Sequence, residues 1–146
     1  MPLYTVTRTS SALSTTADSI TLVASSTKPL RVYIVSGVGM GTASAANEVV
    51  IARSTSGATP GGSITPSPIN SGSSAASFAA YSSWSTYPTV GAVLWRLGIN
   101  ANGGVDKFNA IPGAEIQVPV SGQLSIRSAS GTSNVAWSIL VEEVDG

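Results

Sequence analysis

Apolar residues recur at every second position over short stretches of this chain, while the spacing of an amphipathic helix is missing almost everywhere. The pattern predicts strands over 19–24, 30–38, 48–53, 90–99, 107–111, 115–120, 123–127 and 134–144, separated by Gly, Ser, Asn and Pro. Alternation assigns faces. Val93, Trp95, Leu97 and Ile99 share one side, opposite Arg96 and Gly98, and Val135, Trp137, Ile139 and Val141 share another, opposite Ala136, Ser138 and Leu140. Trp95 and Trp137 are thereby expected in the core. Leu124 and Ile126 alternate with Gln123, Ser125 and Arg127 in the same way. Val32 and Ile34 alternate with Arg31, Tyr33 and Val35, apolar on both sides, which predicts a strand covered twice.

The punctuation fits the same architecture. Asn102-Gly103-Gly104 supplies residues able to adopt positive φ in a tight connection, and residues 130–134 read as a hairpin loop. Pro29, Pro112 and Pro119 fall at strand ends or edges, where a missing N–H is tolerated. Short strands in this number predict an all-β, two-sheet antiparallel sandwich, with an eight-stranded jelly roll as its natural form. An immunoglobulin-like sandwich is the rival, although the Cys-Trp-Cys spacing is absent. One sandwich domain is expected over 19–146. Residues 1–18, rich in Ser and Thr, read as a tail or edge strand, or as an extended arm lying along a neighbouring subunit by strand addition. Residues 54–90 form a Gly/Ser/Pro-rich insertion too long to be structureless, so it should hold one or two weak strands or be ordered as an insertion. Its aromatics Phe78, Tyr81, Trp84 and Tyr87 either pack beneath it or face a partner.

Composition narrows the chemistry. The 146 residues include no His and no Cys, and seven Lys/Arg balance seven Asp/Glu. The commonest general base and the nitrogen and sulfur ligands of most transition-metal sites are therefore missing. No basic stripe exists to neutralise a phosphate backbone, so nucleic acid is not an expected partner. No apolar run is long enough for a transmembrane helix, and the N-terminal residues do not read as a secretory signal, so no membrane partner and a cytoplasmic or particle location are expected. Zero net charge removes the repulsion that keeps monomers apart, a pointer toward self-association.

Sequence candidates for catalysis are sparse. Gly37-Val38-Gly39-Met40-Gly41 follows a strand as a phosphate loop would, but lacks the final Gly, the Lys-Ser/Thr pair and the helix behind it, leaving a sharp turn or bulge. Asp106, Glu115, Glu142, Glu143 and Asp145 supply carboxylates, yet Glu142 and Glu143 face opposite sides of a strand and read, with Asp145, as a solvated terminus. Only Asn102 and Asp106 approach a calcium-like spacing, and nothing singles out Lys28 or Lys107 for a Ser-Lys pair. No catalytic, cofactor or metal residue is predicted, and no small-molecule substrate.

The segments 28–35 (KPLRVYIV), 44–48 (SAANE), 98–104 (GINANGG) and 126–132 (IRSASGT) together resemble the jelly-roll capsid decoration, or cement, proteins of tailed bacteriophages. The resemblance covers about half the chain, mainly beyond residue 28, and it has no counterpart for 54–90. It implies a non-enzymatic virion protein, made in the host cytoplasm, that trimerises on the capsid exterior and bridges major capsid subunits. An N-terminal arm reaching a neighbour belongs to that picture. The interface residues expected on it are Leu3, Tyr4, Val6 and Arg8 on the arm, with Trp84 and Tyr87 on the insertion. Two other readings stand beside it: a phage tail or fibre component, and a carbohydrate-binding module presenting Tyr81, Trp84 and Tyr87 to sugar rings.

Overall fold

The computed structural model describes residues 2–144, and their regular elements are all strands. In chain order these are β1 (Leu3–Ala12), β2 (Asp18–Val23), β3 (Leu30–Met40), β4 (Ala46–Thr55), β5 (Ala58–Pro60), β6 (Ser63–Ile64), β7 (Ser67–Pro68), β8 (Ala79–Tyr81), β9 (Trp84–Thr86), β10 (Thr89–Asn100), β11 (Asn102–Asn109), β12 (Ile116–Val118), β13 (Gln123–Ser130) and β14 (Asn134–Glu143). Each predicted run falls on a strand, and the insertion contributes the short β5 to β9.

A front sheet runs β11-β3-β14-β1-β7, with β12 following β11 along the same edge of β3. A back sheet runs β10-β4-β13-β2-β8-β6, and β5 and β9 form a separate ribbon. All pairings are antiparallel. Among the long strands β1, β2, β3, β4, β10, β11, β13 and β14, the first, eighth, third and sixth make the front sheet, and the second, seventh, fourth and fifth the back. That interleaving makes the protein a jelly-roll β-sandwich.

Of the readings of residues 1–18, residues 3–12 follow the edge strand, paired to β14 of their own chain. Tyr4 pairs with Val141 and Val6 with Ile139, so both side chains enter the core, where they are 1% and 0% exposed. Thr5 and Thr7 take the alternate, outward positions. Residues 3–12 are thus one of the eight long strands, and 115–120 supplies only the three-residue β12.

Ile20, Leu22, Val49, Ile51, Leu97, Ile99, Leu124 and Ile126 from the back sheet meet Val32, Val35, Val135, Trp137, Ile139 and Val141 from the front. Burying each such side chain contributes about 1.5–3 kcal/mol, the main source of stability in a chain with few ion pairs. Trp137 lies in this core as predicted, but Trp95 is 48% exposed. Pairing with Ile51 aims Trp95 inward, yet bulges on either side of Val93 and the position of β10 at the sheet edge leave its ring at the rim, edge-on to Phe108 at 5.3 Å.

A register shift in β3 sets Val32 and Val35 inward and turns Ile34 out beside Leu140. The second apolar face of that strand is therefore uncovered, contrary to the sequence expectation. The glycine run is neither a phosphate loop nor a turn, because Gly37 and Gly39 lie within β3. A Cβ on Gly37 would come within 2.6 Å of Ile99 and 2.8 Å of Trp137, and one on Gly39 would overlap the carbonyl oxygen of Asn100. Both positions are kept empty so that β10 and Trp137 can close on the strand. Residues 130–134 do not form a hairpin loop either, since β13 belongs to the back sheet and β14 to the front. The connection crosses the sandwich, with Gly131 at φ 94° and the Asn47 side chain tucked against it.

Candidate functional site

The two outer faces of the sandwich are treated differently, and the difference originates in the insertion. Thr21, Ser125 and Ala52 share a row on the outer face of the back sheet, a face that alternation alone would leave wet, yet each is 0% exposed. Residues from 54–90 lie over them. The Trp84 indole N–H donates to Thr21 Oγ1 at 3.0 Å, and Arg127 donates to the carbonyl of Pro88 at 2.9 Å. Beneath this cover Asp18 accepts from Arg127 Nε and Ser125 Oγ, each at 2.6 Å, and from Thr21 Oγ1 at 2.5 Å, while Ser125 also bonds Ser54 at 2.7 Å. A buried carboxylate tolerates this position because both of its oxygens meet donors, one of them charged. The cluster joins residues of the insertion to the sheet.

The insertion then turns around one edge of the sandwich. β6 extends the back sheet through β8, and β7 pairs with β1 at Tyr4 and Thr5. Tyr4 Oη donates to the carbonyl of Ser74 at 2.9 Å and its ring meets Phe78 edge-on at 5.6 Å. Glu143 accepts the backbone N–H groups of Ser77 and Phe78 at 3.0–3.1 Å. Edge groups on β1 open to strand addition are thereby engaged within the chain near Leu3, Tyr4 and Thr5.

The outer face of the front sheet carries no such cover. The registers set Val38 between Val105 and Ala136, and Ile34 between Asn109 and Leu140, with Thr5 next to Leu140 and Leu3 next to Glu142. Val105 is 62% and Met40 52% exposed, and Val38, Ile34, Leu140 and Leu3 are half-buried. Lys107 is the one charged side chain in the rows from Met40 to Ile34, the carboxylate of Glu142 lying lower down. The face is nearly uncharged and mixed, apolar rows at Val38 and Ile34 flanking a polar row of Ser36, Lys107, Ser138 and Thr7, a composition found on surfaces that pack against others.

The remaining sequence candidates are corrected by burial. Trp84 is 9% exposed and edge-on to Tyr81 at 5.2 Å, so the two rings are neither coplanar nor free to stack on a sugar. Arg8 donates to the carbonyl of Ser19, and burial holds its guanidinium below the usual arginine range, an effect that neighbouring Tyr87 partly offsets. Of the expected interface residues, Tyr4, Val6 and Trp84 are internal, Arg8 bonds within its own chain, Tyr87 is half-buried, and Leu3 lies on the bare face. Glu142 and Glu143 are not a solvated terminus: they are 6% and 1% exposed, and Glu142 accepts from Tyr33 Oη at 2.7 Å. Asp145 lies outside the described residues. That hydrogen bond, followed by burial and the charge of Glu142, holds the Tyr33 phenol above its ordinary pKa. Sequence reasoning missed the bare face because its apolar members lie on three strands, where register sets Val38 beside Val105 and Ala136, and Ile34 beside Leu140, in separate rows.

Among the described residues no helix is long and apolar enough to cross a membrane, and no group of three or more acidic side chains is placed to hold a metal ion. No protein-family model, curated protein or solved structure matches the chain.

Proposed function

We propose that this chain is a structural, non-enzymatic assembly module whose working surface is the outer face of the front sheet. The observation that carries the reading is the asymmetry of the sandwich. The chain's own insertion covers Thr21, Ser125 and Ala52 on one outer face, and the other is left uncovered, with Val38 beside the exposed Val105 and Met40, and a second apolar row at Ile34 and Leu140. Covering such a face with a partner removes apolar area from water at little electrostatic cost. The resemblance of residues 28–35, 44–48, 98–104 and 126–132 to phage capsid decoration proteins supplies the rest of the proposal: a homotrimer on the capsid exterior, bridging major capsid subunits. Repetition on a symmetric lattice lets modest contacts act together. A tail or fibre location draws on the same surface.

Light scattering coupled to gel filtration tests the assembly. The wild-type chain is expected to run as a trimer, and a Val38→Lys/Val105→Lys variant as a monomer with an unchanged circular dichroism spectrum. A monomeric wild type would overturn the reading. Electron cryo-microscopy of an intact particle decides the capsid assignment, which requires density for this fold on the head exterior.

A further inference from the structure

Asparagine stands at 47, 70, 100, 102, 109 and 134, and only Asn102 is followed by glycine. It opens β11, where the chain passes from the back sheet into the front, and both Asn102 and Gly103 are exposed. The register steps from Asn102 opposite Met40 to Val105 opposite Val38, so Gly103 and Gly104 together face the single residue Gly39. Such a bulge leaves its extra residue unpaired and disrupts the ladder locally. Gly103 holds φ 73°, and a Cβ built on it meets nothing within 4 Å, so the space beside the Asn102–Gly103 peptide bond is open. Three other asparagine side chains are tied. Asn47 Nδ2 donates to the carbonyls of Ala45 and Ile99, Asn70 Oδ1 accepts from the Gly72 N–H, and Asn100 bonds both Ser44 and the Asn102 N–H. Among the described residues the Asn102 carboxamide makes no hydrogen bond.

A side-chain amide followed by glycine is open to attack from its own backbone, because no Cβ on the next residue crowds the nitrogen or restricts its approach. Asn109 and Asn134, by contrast, precede Ala110 and Val135. We infer that Asn102 is a site of spontaneous deamidation. Solvent hydroxide takes the proton of the Gly103 N–H, and that nitrogen bonds to Asn102 Cγ. The Cγ–Nδ2 bond breaks, ammonia leaves, and a succinimide ring closes in the open space beside Gly103. Water then adds to either carbonyl of the ring. Opening at Cγ restores the original peptide bond and leaves aspartate, and opening at the backbone carbonyl leaves isoaspartate, whose main chain runs through the former side chain. Nothing is oxidised or reduced: one water enters and one ammonia departs. Seven Lys/Arg balance seven Asp/Glu, so the product carries a net negative charge, placed opposite Met40 at the end of β3. The inference does not depend on the assembly reading.

Incubating the folded full chain in mildly alkaline buffer tests this, with isoelectric focusing to follow the charge and peptide mapping by mass spectrometry to locate it. An acidic species should accumulate, its aspartate and isoaspartate confined at first to position 102, and mildly acidic buffer should slow it severalfold. Asn102→Gln lengthens the side chain so that attack must close a larger, slower ring, and the wild-type band should stay in place over the same period. The circular dichroism spectrum of that variant checks that the exposed substitution keeps the fold. The same chain unfolded in guanidinium chloride supplies the reference rate. Conversion first at another asparagine, an acidic band forming as fast in Asn102→Gln, or an amide kept at Asn102 while the unfolded chain converts, would overturn the proposal.

Discussion

The indole N–H of Trp84 donates to the hydroxyl of Thr21 across 3.0 Å, fastening residues of the insertion to the outer face of the back sheet. Gly57 lies directly against the same ring, close enough that a Cβ there would come within 2.6 Å of it. Trp84→Ala is expected to cost about 3–5 kcal/mol, as for other buried aromatics, and to open sites in 57–88 to limited proteolysis. Trp84→Phe keeps most of the packing and should cost about 1 kcal/mol for the lost hydrogen bond. Urea unfolding of both variants checks this, and an alanine variant as stable as wild type would mean that the ring does not hold the insertion.

Asp18 and Arg127 form the ion pair beneath that cover, with side chains 1% and 15% exposed. Removing one partner leaves the other charge buried, so Asp18→Asn should lose about 3–5 kcal/mol. The double variant Asp18→Asn/Arg127→Met should lose less than the sum of the two single changes. A double-mutant cycle from chemical denaturation measures the coupling, and strictly additive losses would show that the pair acts as two independent groups.

Two glycines make a controlled comparison. Gly39→Ala forces a methyl into the carbonyl of Asn100 and is expected to cost about 1–3 kcal/mol. Gly98→Ala, on the exposed edge strand with nothing within 4 Å of the added carbon, should stay within about 0.5 kcal/mol of wild type. Thermal unfolding ranks the two, and equal effects would contradict the close approach of β10 to β3.

Tyr33 should titrate late. Its hydrogen bond to Glu142 raises the phenol's pKa in the folded chain, so above the unfolded value of about 10 the folded state holds the proton more tightly. This contribution to stability is complete below that pH and is lost as pH rises through the folded value. Absorbance at the phenolate band should show a component ionising above the ordinary range, and Tyr33→Phe should remove it. Glu142→Gln should move it back toward the ordinary value. A Tyr33→Phe titration identical to wild type would rule out this assignment.

The strands most legible in the sequence are those with one face in the core and one exposed or polar. Leu124 and Ile126, and the series Val135, Trp137, Ile139 and Val141, announce themselves because every second residue is apolar. β1 is harder to read: only Tyr4 and Val6 alternate before the Ser/Thr tract begins, and the remainder of the strand is held by backbone pairing to β14. Thr21, Ser125 and Ser54 give no local sign of burial, since the ring that covers them comes from residue 84. Trp95 misleads for a related reason. Its direction follows from the period of two, but its exposure depends on lying at the sheet edge, which only the strand order decides. The bare face was equally hidden, because residues 38, 105 and 136, like residues 34 and 140, become neighbours through pairing and not through spacing.

The pairing of β1 with β14 and of β2 with β13 has a kinetic consequence. Residues 3–12 find their main partner only in residues 134–143, and residues 18–23 theirs in residues 123–130, so the contacts are nested from the outside inward. A ribosome must deliver the last strand before the first can be seated, and chain closure over such separations places this fold among the slow, millisecond-to-second class. Until then the half-made sheets expose the same apolar rows that later form the core.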